Sequence, residues 1–198
     1  MISKQDRNER VTEYSRDLDS KLLGEYLHGK HSFLLLEPNN MNDFTEEKMR
    51  ARGIDTNKFK FIDIGNSRKG IIVGGYEHKG KLKSKINFDT DVRTVKEYKN
   101  NETKTYLNPE TRIIQSSKDD TTFIYNILNN TSNYLINTNV TPIKYKLINM
   151  NCNTFTNNLL DYSGADINRN KEMKGYDPGI NKKINNLYFK LRDKQIYQ

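Results

Sequence analysis

Two side chains of this 198-residue sequence suit nucleophilic chemistry: Cys152, the single cysteine, and His31, one of three histidines. Cys152 follows a predicted strand and precedes an apolar stripe with helical spacing, which places it in the first turn of a helix. The unpaired N–H groups and the dipole of a helix start favour the thiolate, the form of cysteine that attacks carbonyl carbons. His31 opens another predicted strand and is the imidazole best placed to exchange a proton with the thiol.

Acyl transfer through a thiolate also needs donors for the negative oxygen of the tetrahedral intermediate. The backbone N–H of Cys152 can supply one from the first turn of the helix. Asn149 and Asn151 are candidate side-chain donors beside it. Purely structural roles remain open, because a lone cysteine is often a small buried hydrophobe and a lone histidine at a strand start often lies at the surface.

The sequence does not assign a third polar residue that would orient the imidazole. Three residues lie near the ends of strands that could flank His31: Asn66, Glu77 and His78. Asp89 and Asp91 begin like a calcium-binding loop, but the glycine and the glutamate that such a loop requires are missing. The histidines are too scattered for a metal site. We therefore expect neither a metal nor an organic cofactor.

The elements that would position these residues include both helices and strands. Apolar residues at three- and four-residue steps predict an amphipathic helix over about residues 6–27. The other predicted elements are strands at 31–36, 59–64 and 143–148, a longer-loop hairpin joining 71–76 to 82–88, and helices around 44–50, after Asp119 and from Cys152 to Gly164. This order favours an α+β fold with a mainly antiparallel sheet.

The residues around the cysteine carry a family resemblance. Asn151-Cys152-Asn153-Thr154-Phe155-Thr156-Asn157, preceded by Tyr145-Lys146-Leu147, closely resembles the cysteine motif of the PPPDE family of desumoylating-isopeptidase-like proteins. The strand 31–36 is similar to the histidine strand of that family, and Val73-Gly74-Gly75-Tyr76 to its glycine-containing strand. The family belongs to the circularly permuted papain-like group, with relatives of lecithin:retinol acyltransferase and of NlpC/P60 peptidases. The resemblance covers about residues 30–165.

The resemblance implies a permuted papain-like, NlpC/P60-type fold, with an antiparallel sheet packed against helices and the nucleophile at a helix N-terminus. It also implies a thiol hydrolase of the peptidase, isopeptidase, amidase or acyl-hydrolase type, in which Cys152 and His31 form a dyad. The substrate would be a peptide, isopeptide, thioester or lipid acyl bond. A bacterial effector or toxin is one setting that suits such a protein. The region near 89–118 has no counterpart in the family.

Charge and composition set the expected organisation. Residues 168–198 hold eight basic and three acidic side chains, so most of the net charge of +8 lies there. We predict an N-terminal helix at 1–29, a catalytic domain at 30–167 and a partly docked basic tail at 168–198. The alternative function is a catalytically silent binding module whose tail contacts an acidic partner, a membrane surface or nucleic acid. Nucleic acid is not favoured, because no basic face with interleaved aromatic residues is evident.

The sequence shows no apolar stretch that could form a signal-peptide core or span a bilayer. We therefore expect a protein that is made in the cytoplasm, with export by a route that needs no classical signal peptide as a further option. A single cysteine also rules out an internal disulfide. If the Cys152 thiol has a role, it acts without a second thiol of the same chain.

Overall fold

The computed structural model describes residues 10–18, 30–100, 102, 109–166 and 182–191. Within these ranges a seven-stranded sheet carries helices on both faces. The strands are β1 Arg10–Asp17, β2 Lys30–Glu37, β3 Ile62–Asp63, β4 Lys69–His78, β5 Lys81–Ile86, β6 Glu110–Ile114 and β7 Ile143–Lys144. The helices are α1 Glu46–Ala51, α2 Asp89–Lys99, α3 Asp120–Val140 and α4 Cys152–Ser163. Two short 3-10 helices are Met41–Phe44 and Asn186–Phe189.

The strand order is β6-β1-β2-β4-β5-β7, with β3 also paired to β4, and every pairing is antiparallel. The fold is therefore α+β, as the order of the predicted elements indicates. Strand β2 is central and all eight of its residues are buried, which explains its uninterrupted apolar run. Leu34 and Leu36 pack toward α3 and α4, whereas Phe33 and Leu35 pack toward α2.

The predicted helix over 6–27 is wrong where the structure describes it, because residues 10–17 form β1 between β6 and β2. Val11 and Tyr14 supplied the helical spacing, but they belong to different core clusters on opposite faces of the sheet. A strand buried on both faces can imitate a helix in this way. Because β1 pairs with the strand of His31, the predicted boundary after residue 29 does not separate two units. Residues 19–29 lie outside the described ranges.

Three other predicted elements are shorter in the structure than expected. Of the predicted strand 59–64, only Ile62–Asp63 pairs, as β3. The hairpin between β4 and β5 has a two-residue turn at Lys79 and Gly80, with φ values of 50° and 73°, and not a longer loop. Positive φ at both positions is what tight hairpin turns require. The predicted strand 143–148 ends at Lys144, because the chain then turns and pairs Lys146 with Met150.

The helices predicted after Asp119 and from Cys152 are confirmed. The Asp119 carboxylate accepts a hydrogen bond from the backbone N–H of Thr122 and caps α3. Helix α3 has 21 residues, which is longer than the predicted three turns. Helix α4 ends at Gly164, which has φ of 93° and so adopts the left-handed conformation that ends many helices.

The described part of the predicted tail, residues 182–191, lies against the helices. Ile184 and Phe189 are buried, and the Phe189 ring is 5.3 Å from the ring of Tyr134 on α3. The amide of Asn137 on α3 donates to the carbonyls of three residues of this segment: Leu187, Tyr188 and Lys190. This segment therefore contributes to the same hydrophobic core as α3 and α4.

Helix α4 begins directly over the backbone of β4 at Gly75. A Cβ atom at Gly75 would lie 2.9 Å from the Cα of Cys152 and 2.9 Å from the Cβ of Phe155. Real Cβ atoms do not approach other heavy atoms so closely, and the nearest one here is backbone, which cannot rotate away. The absence of a side chain at residue 75 therefore sets how closely the helix start approaches the sheet.

Gly75→Ala is expected to lower the free energy of unfolding by about 1–3 kcal/mol, because the backbone of α4 must move to make room. Lys81→Ala, at an exposed position on the neighbouring strand, is the control and should stay within about 0.5 kcal/mol of the wild type. Chemical denaturation of both variants measures the difference. Equal stability of the Gly75→Ala variant and the wild type would contradict the close packing described here.

Candidate active site

The sheet opens between β2 and β4 at the end that carries His31. The ladder between the two strands runs from the pair Leu36–Ile71 to the pair Phe33–Gly74. This ladder therefore leaves the backbone of residues 30–32 unpaired with β4. The first turn of α4 contacts β2 at this opening.

The side-chain amide of Asn153 takes the place of a strand partner in the opening. Its Oδ1 accepts from the backbone N–H of Ser32 at 2.8 Å, and its Nδ2 donates to the carbonyl of Lys30 at 2.9 Å. The Ser32 hydroxyl donates to the same Oδ1 at 3.0 Å, and the Thr156 hydroxyl donates to the Ser32 carbonyl at 2.9 Å. One amide thus supplies the donor and the acceptor that a peptide unit would, and it ties α4 to β2.

Cys152 is the first residue of α4, the position that the sequence predicts, and is 5% exposed. The helix starts with a capping box, in which Asn151 Oδ1 accepts from the Thr154 N–H and the Thr154 hydroxyl accepts from the Asn151 N–H. The N–H of Cys152 belongs to the first turn, whose N–H groups have no partner inside the helix. The thiol lies 3.6 Å from Asn153 Oδ1.

His31 lies between a carboxylate and the thiol. Its Nε2 is 3.3 Å from both carboxylate oxygens of Asp91 on α2. The other side-chain hydrogen-bonding neighbour of the imidazole is Cys152. His31 is 5% exposed and Asp91 is 1% exposed. Gly74 leaves room for this pair, since a Cβ there would lie 3.3 Å from Asp91 Oδ2. The structure therefore brings together the two predicted residues, Cys152 and His31, and adds a carboxylate.

The charges of these groups depend on one another. Burial would lower the pKa of His31, but the Asp91 carboxylate and the Cys152 thiolate outweigh burial and raise that pKa to about 9. Burial would likewise raise the pKa of Asp91, but His31 and the Arg16 guanidinium hold it below its ordinary value. At neutral pH the pair is thus an imidazolium and a carboxylate. An imidazolium stabilises a thiolate beside it.

Asp91 occupies the position of the third polar residue, which the sequence leaves unassigned. It comes from the region 89–118, for which the family resemblance offers no counterpart. The three residues considered from the sequence are directed elsewhere: Asn66 donates to the Lys99 carbonyl, Glu77 accepts from the Gly80 N–H, and the exposed His78 lies beside Tyr76. Asp91 and His31 are far apart along the chain, so the sequence alone did not indicate that their side chains meet.

A signal for Asp91 is nevertheless present in the sequence. Asp91 shares a helical stripe with Val92 and Val95, which pack toward the core, whereas Asp89 is exposed. A carboxylate on the apolar side of a helix must be paired when the helix docks. This pattern separates Asp91 from Asp89, with which it resembles the start of a calcium loop.

The two asparagines predicted as oxyanion donors differ in their surroundings. The Asn151 side chain caps α4 and also donates to the Leu147 carbonyl at 2.6 Å. Asn149 is half-buried in the turn before the helix and lies outside the cap. Both assignments stay predictions, and the backbone N–H of Cys152 is the donor that lies at the nucleophile itself.

No protein-family model, curated protein or solved structure matches this chain. In the described ranges, no group of three or more histidine, cysteine, aspartate or glutamate residues could hold a metal ion. No helix of those ranges is both long and apolar enough to cross a bilayer. The geometry of Cys152, His31 and Asp91 is therefore the main guide to function.

Asn153→Ala is expected to lower the free energy of unfolding by about 2–4 kcal/mol, because the Ser32 N–H and the Lys30 carbonyl would be left buried without their partner. Asn129→Ala, at a half-buried asparagine of α3 outside this network, is the matched control and should have little effect. Urea denaturation measures both. A loss no larger for Asn153→Ala than for Asn129→Ala would show that the amide does not hold the helix to the strand.

The raised pKa of His31 predicts a pH-dependent stability. Because the folded pKa of about 9 exceeds the unfolded value of about 6.5, the histidine contributes up to about 3 kcal/mol. This contribution is fully present below pH of about 6.5 and is lost as the pH rises through about 9. The stability advantage of the wild type over His31→Gln should therefore shrink over this window in urea titrations.

The exposed histidine provides the control for this measurement. The stability difference between the wild type and His78→Gln is measured in the same titrations, because His78 is exposed and lies beside Tyr76 on β4. An advantage over His31→Gln that is constant or grows toward pH of about 9 would contradict the imidazolium and carboxylate pairing.

Proposed function

We propose that this chain is a cysteine hydrolase with a permuted papain-like fold. In this proposal Cys152 is the nucleophile, His31 is the general acid and base, and Asp91 orients His31. The observation that carries it is the buried His31 imidazole, which lies between the Asp91 carboxylate and a cysteine at a helix N-terminus. A nucleophile, a base in contact with it and a third group that orients the base form a recurrent arrangement for acyl transfer.

The order of the elements supports the permuted papain-like fold. The histidine strand β2 comes first, the glycine-containing strand β4 follows, and the cysteine helix α4 comes last. Helix α4 packs across β2 and β4, with its first residue over Gly75. The family resemblance implies this same order of histidine strand and cysteine helix.

The first half of the reaction forms an acyl-enzyme. The Cys152 thiolate attacks the carbonyl carbon of a peptide, isopeptide, thioester or lipid acyl bond, and the carbonyl oxygen becomes negative. The backbone N–H of Cys152 donates to that oxygen. The intermediate collapses when the His31 imidazolium gives its proton to the leaving group. The scissile bond breaks, the acyl group stays on sulfur, and His31 is neutral.

The second half regenerates the site. Neutral His31 takes a proton from water, or from another acceptor with an exchangeable proton, as that molecule attacks the acyl carbon. The acyl–sulfur bond then breaks and the thiolate leaves. The imidazolium and the thiolate are restored together, and the Asp91 carboxylate keeps the ring oriented throughout.

The proposal predicts a covalent acyl intermediate on Cys152. Representatives of the four substrate classes, namely peptide, isopeptide, thioester and lipid acyl donors, are incubated with the protein, quenched in acid and examined by intact-protein mass spectrometry. The wild type should gain the mass of the acyl group from at least one class. Cys152→Ala should gain none, and His31→Ala should be slower by about 10²–10⁴-fold, because it lacks the proton carrier.

Matched controls separate chemistry from folding. His78→Ala removes an exposed histidine, and Asp89→Asn removes an exposed carboxylate from the same helix turn as Asp91. Both should keep the acylation rate within about twofold, whereas Asp91→Asn should lower it by about tenfold or more. Normal acylation of His31→Ala would contradict the dyad. The absence of adducts from all four classes would contradict the hydrolase function and favour a binding module.

A further inference from the structure

Arg16 is the second cationic partner of the Asp91 carboxylate. It lies on β1 directly across from His31 on β2, and it is 4% exposed. Its Nε and Nη2 both donate to Oδ1 of Asp91, at 3.0 Å and 2.9 Å, and its Nη1 donates to the carbonyl of Asp17 at 3.0 Å. The guanidinium is thus fixed by both the carboxylate and its own strand. Both guanidinium donors are on Oδ1, and His31 Nε2 lies 3.3 Å from Oδ2 and 3.3 Å from Oδ1.

We propose that Arg16 is a positioning residue that keeps Asp91 ionised and directed at His31 throughout the reaction cycle. The reaction cycle meant here is the one in the proposed function, so this role rests on that function. The contacts themselves come from two neighbouring strands and one helix, so the carboxylate is oriented by β1 as well as by its own helix α2. A planar guanidinium with two donors on one oxygen fixes the carboxylate in a way that a single ammonium does not.

The need for Arg16 arises when His31 loses its charge. After His31 gives its proton to the leaving group, the buried Asp91 would have no counter-charge if His31 were its only partner. An unpaired buried carboxylate is costly, so Asp91 would bind a proton or rotate away. Arginine is not deprotonated in proteins, so a guanidinium is a permanent counter-charge. Asp91 therefore needs no proton while His31 is neutral, and the proton that returns to His31 comes from the attacking water.

The signs of the buried charges support this role. With the thiolate and the imidazolium formed, the four groups alternate in sign in the order Arg16, Asp91, His31 and Cys152, and their charges sum to zero. Without Arg16 the same buried set would carry one net negative charge. Arg16 therefore balances the site at the step where the thiolate is present.

The test compares the rate of Cys152 alkylation by iodoacetamide from pH 5 to 9.5 with the NMR titration of the His31 ring, in the full-length protein. Arg16→Met should slow alkylation at pH 7 by about tenfold and move the His31 titration to lower pH, because a misdirected Asp91 supports the imidazolium less. Arg16→Lys, which keeps the charge but not the planar donor pair, should give a smaller loss of about two- to fivefold. A His31 titration that moves to higher pH would overturn the role, because Arg16 would then only repel the imidazolium.

A double variant tests whether Arg16 acts through Asp91. In the Asp91→Asn background, Arg16→Met should change the alkylation rate by less than about twofold, since the group that it positions is already neutral. Effects of Arg16→Met and Asp91→Asn that multiply in the double variant would overturn the proposal. If Arg16→Met does not fold, Arg16→Lys provides the test. A wild-type alkylation rate together with a wild-type His31 titration in that variant would overturn the proposal that Arg16 fixes the orientation of Asp91.

Strand β1 offers a control in a second arginine and carboxylate pair, in which Glu13 is buried and Arg112 is partly buried. Arg112 on β6 donates to Glu13 of β1 at 2.7 Å, away from His31. Arg112→Met should lower the melting temperature comparably, but keep the alkylation rate within about twofold. Equal slowing by Arg112→Met and Arg16→Met would assign Arg16 a structural role only. The absence of an acyl-enzyme in the wild type would contradict the hydrolase function, while the alkylation and titration comparisons decide the role of Arg16 separately.

Discussion

The arrangement of this site depends on the bidentate contact between the Asn153 amide and the backbone of β2. Strands β2 and β4 stop pairing beyond Phe33 and Gly74. The backbone at a helix start offers only N–H donors, so it cannot supply the acceptor that the Ser32 N–H needs. A side-chain amide carries the same donor and acceptor as a peptide unit, so it satisfies β2 without a further strand. The opening lets Cys152, on the helix of one face, meet an imidazole that packs toward the helix of the other face.

The two faces of strand β4 accommodate different parts of the site. Gly75 admits the start of α4 on one face, and the adjacent Gly74 admits the His31 and Asp91 pair on the other. Successive residues of a strand face opposite sides of the sheet, so these two neighbouring glycines leave space on opposite faces. The buried charges that meet there are balanced by contributions from four separate elements, so the site forms only when the sheet and both of its helical layers are assembled.

Local patterns were enough to predict where Cys152 and His31 lie in the fold, while their catalytic roles stay proposals. Cys152 lies at a helix start because a strand, a capping asparagine and an apolar stripe follow one another, and His31 lies on a strand whose residues are all apolar for several positions. Asp91 could not be assigned, because it reaches His31 only after α2 docks on the sheet. Strand β1 was mistaken for a helix, because Val11 and Tyr14 are buried on opposite faces. Arg16 was not predicted as part of the site either, because only the pairing of β1 with β2 places it across from His31.

The proposed chemistry depends on an activated pair of His31 and Cys152. Its most direct test is the pH dependence of iodoacetamide alkylation of Cys152 in the wild type and in His31→Ala. Rapid alkylation that persists in the wild type well below the free-thiol pKa of about 8.5, and that His31→Ala abolishes, is the predicted result. Slow alkylation with the pH dependence of an ordinary thiol in both proteins would show that His31 does not activate Cys152.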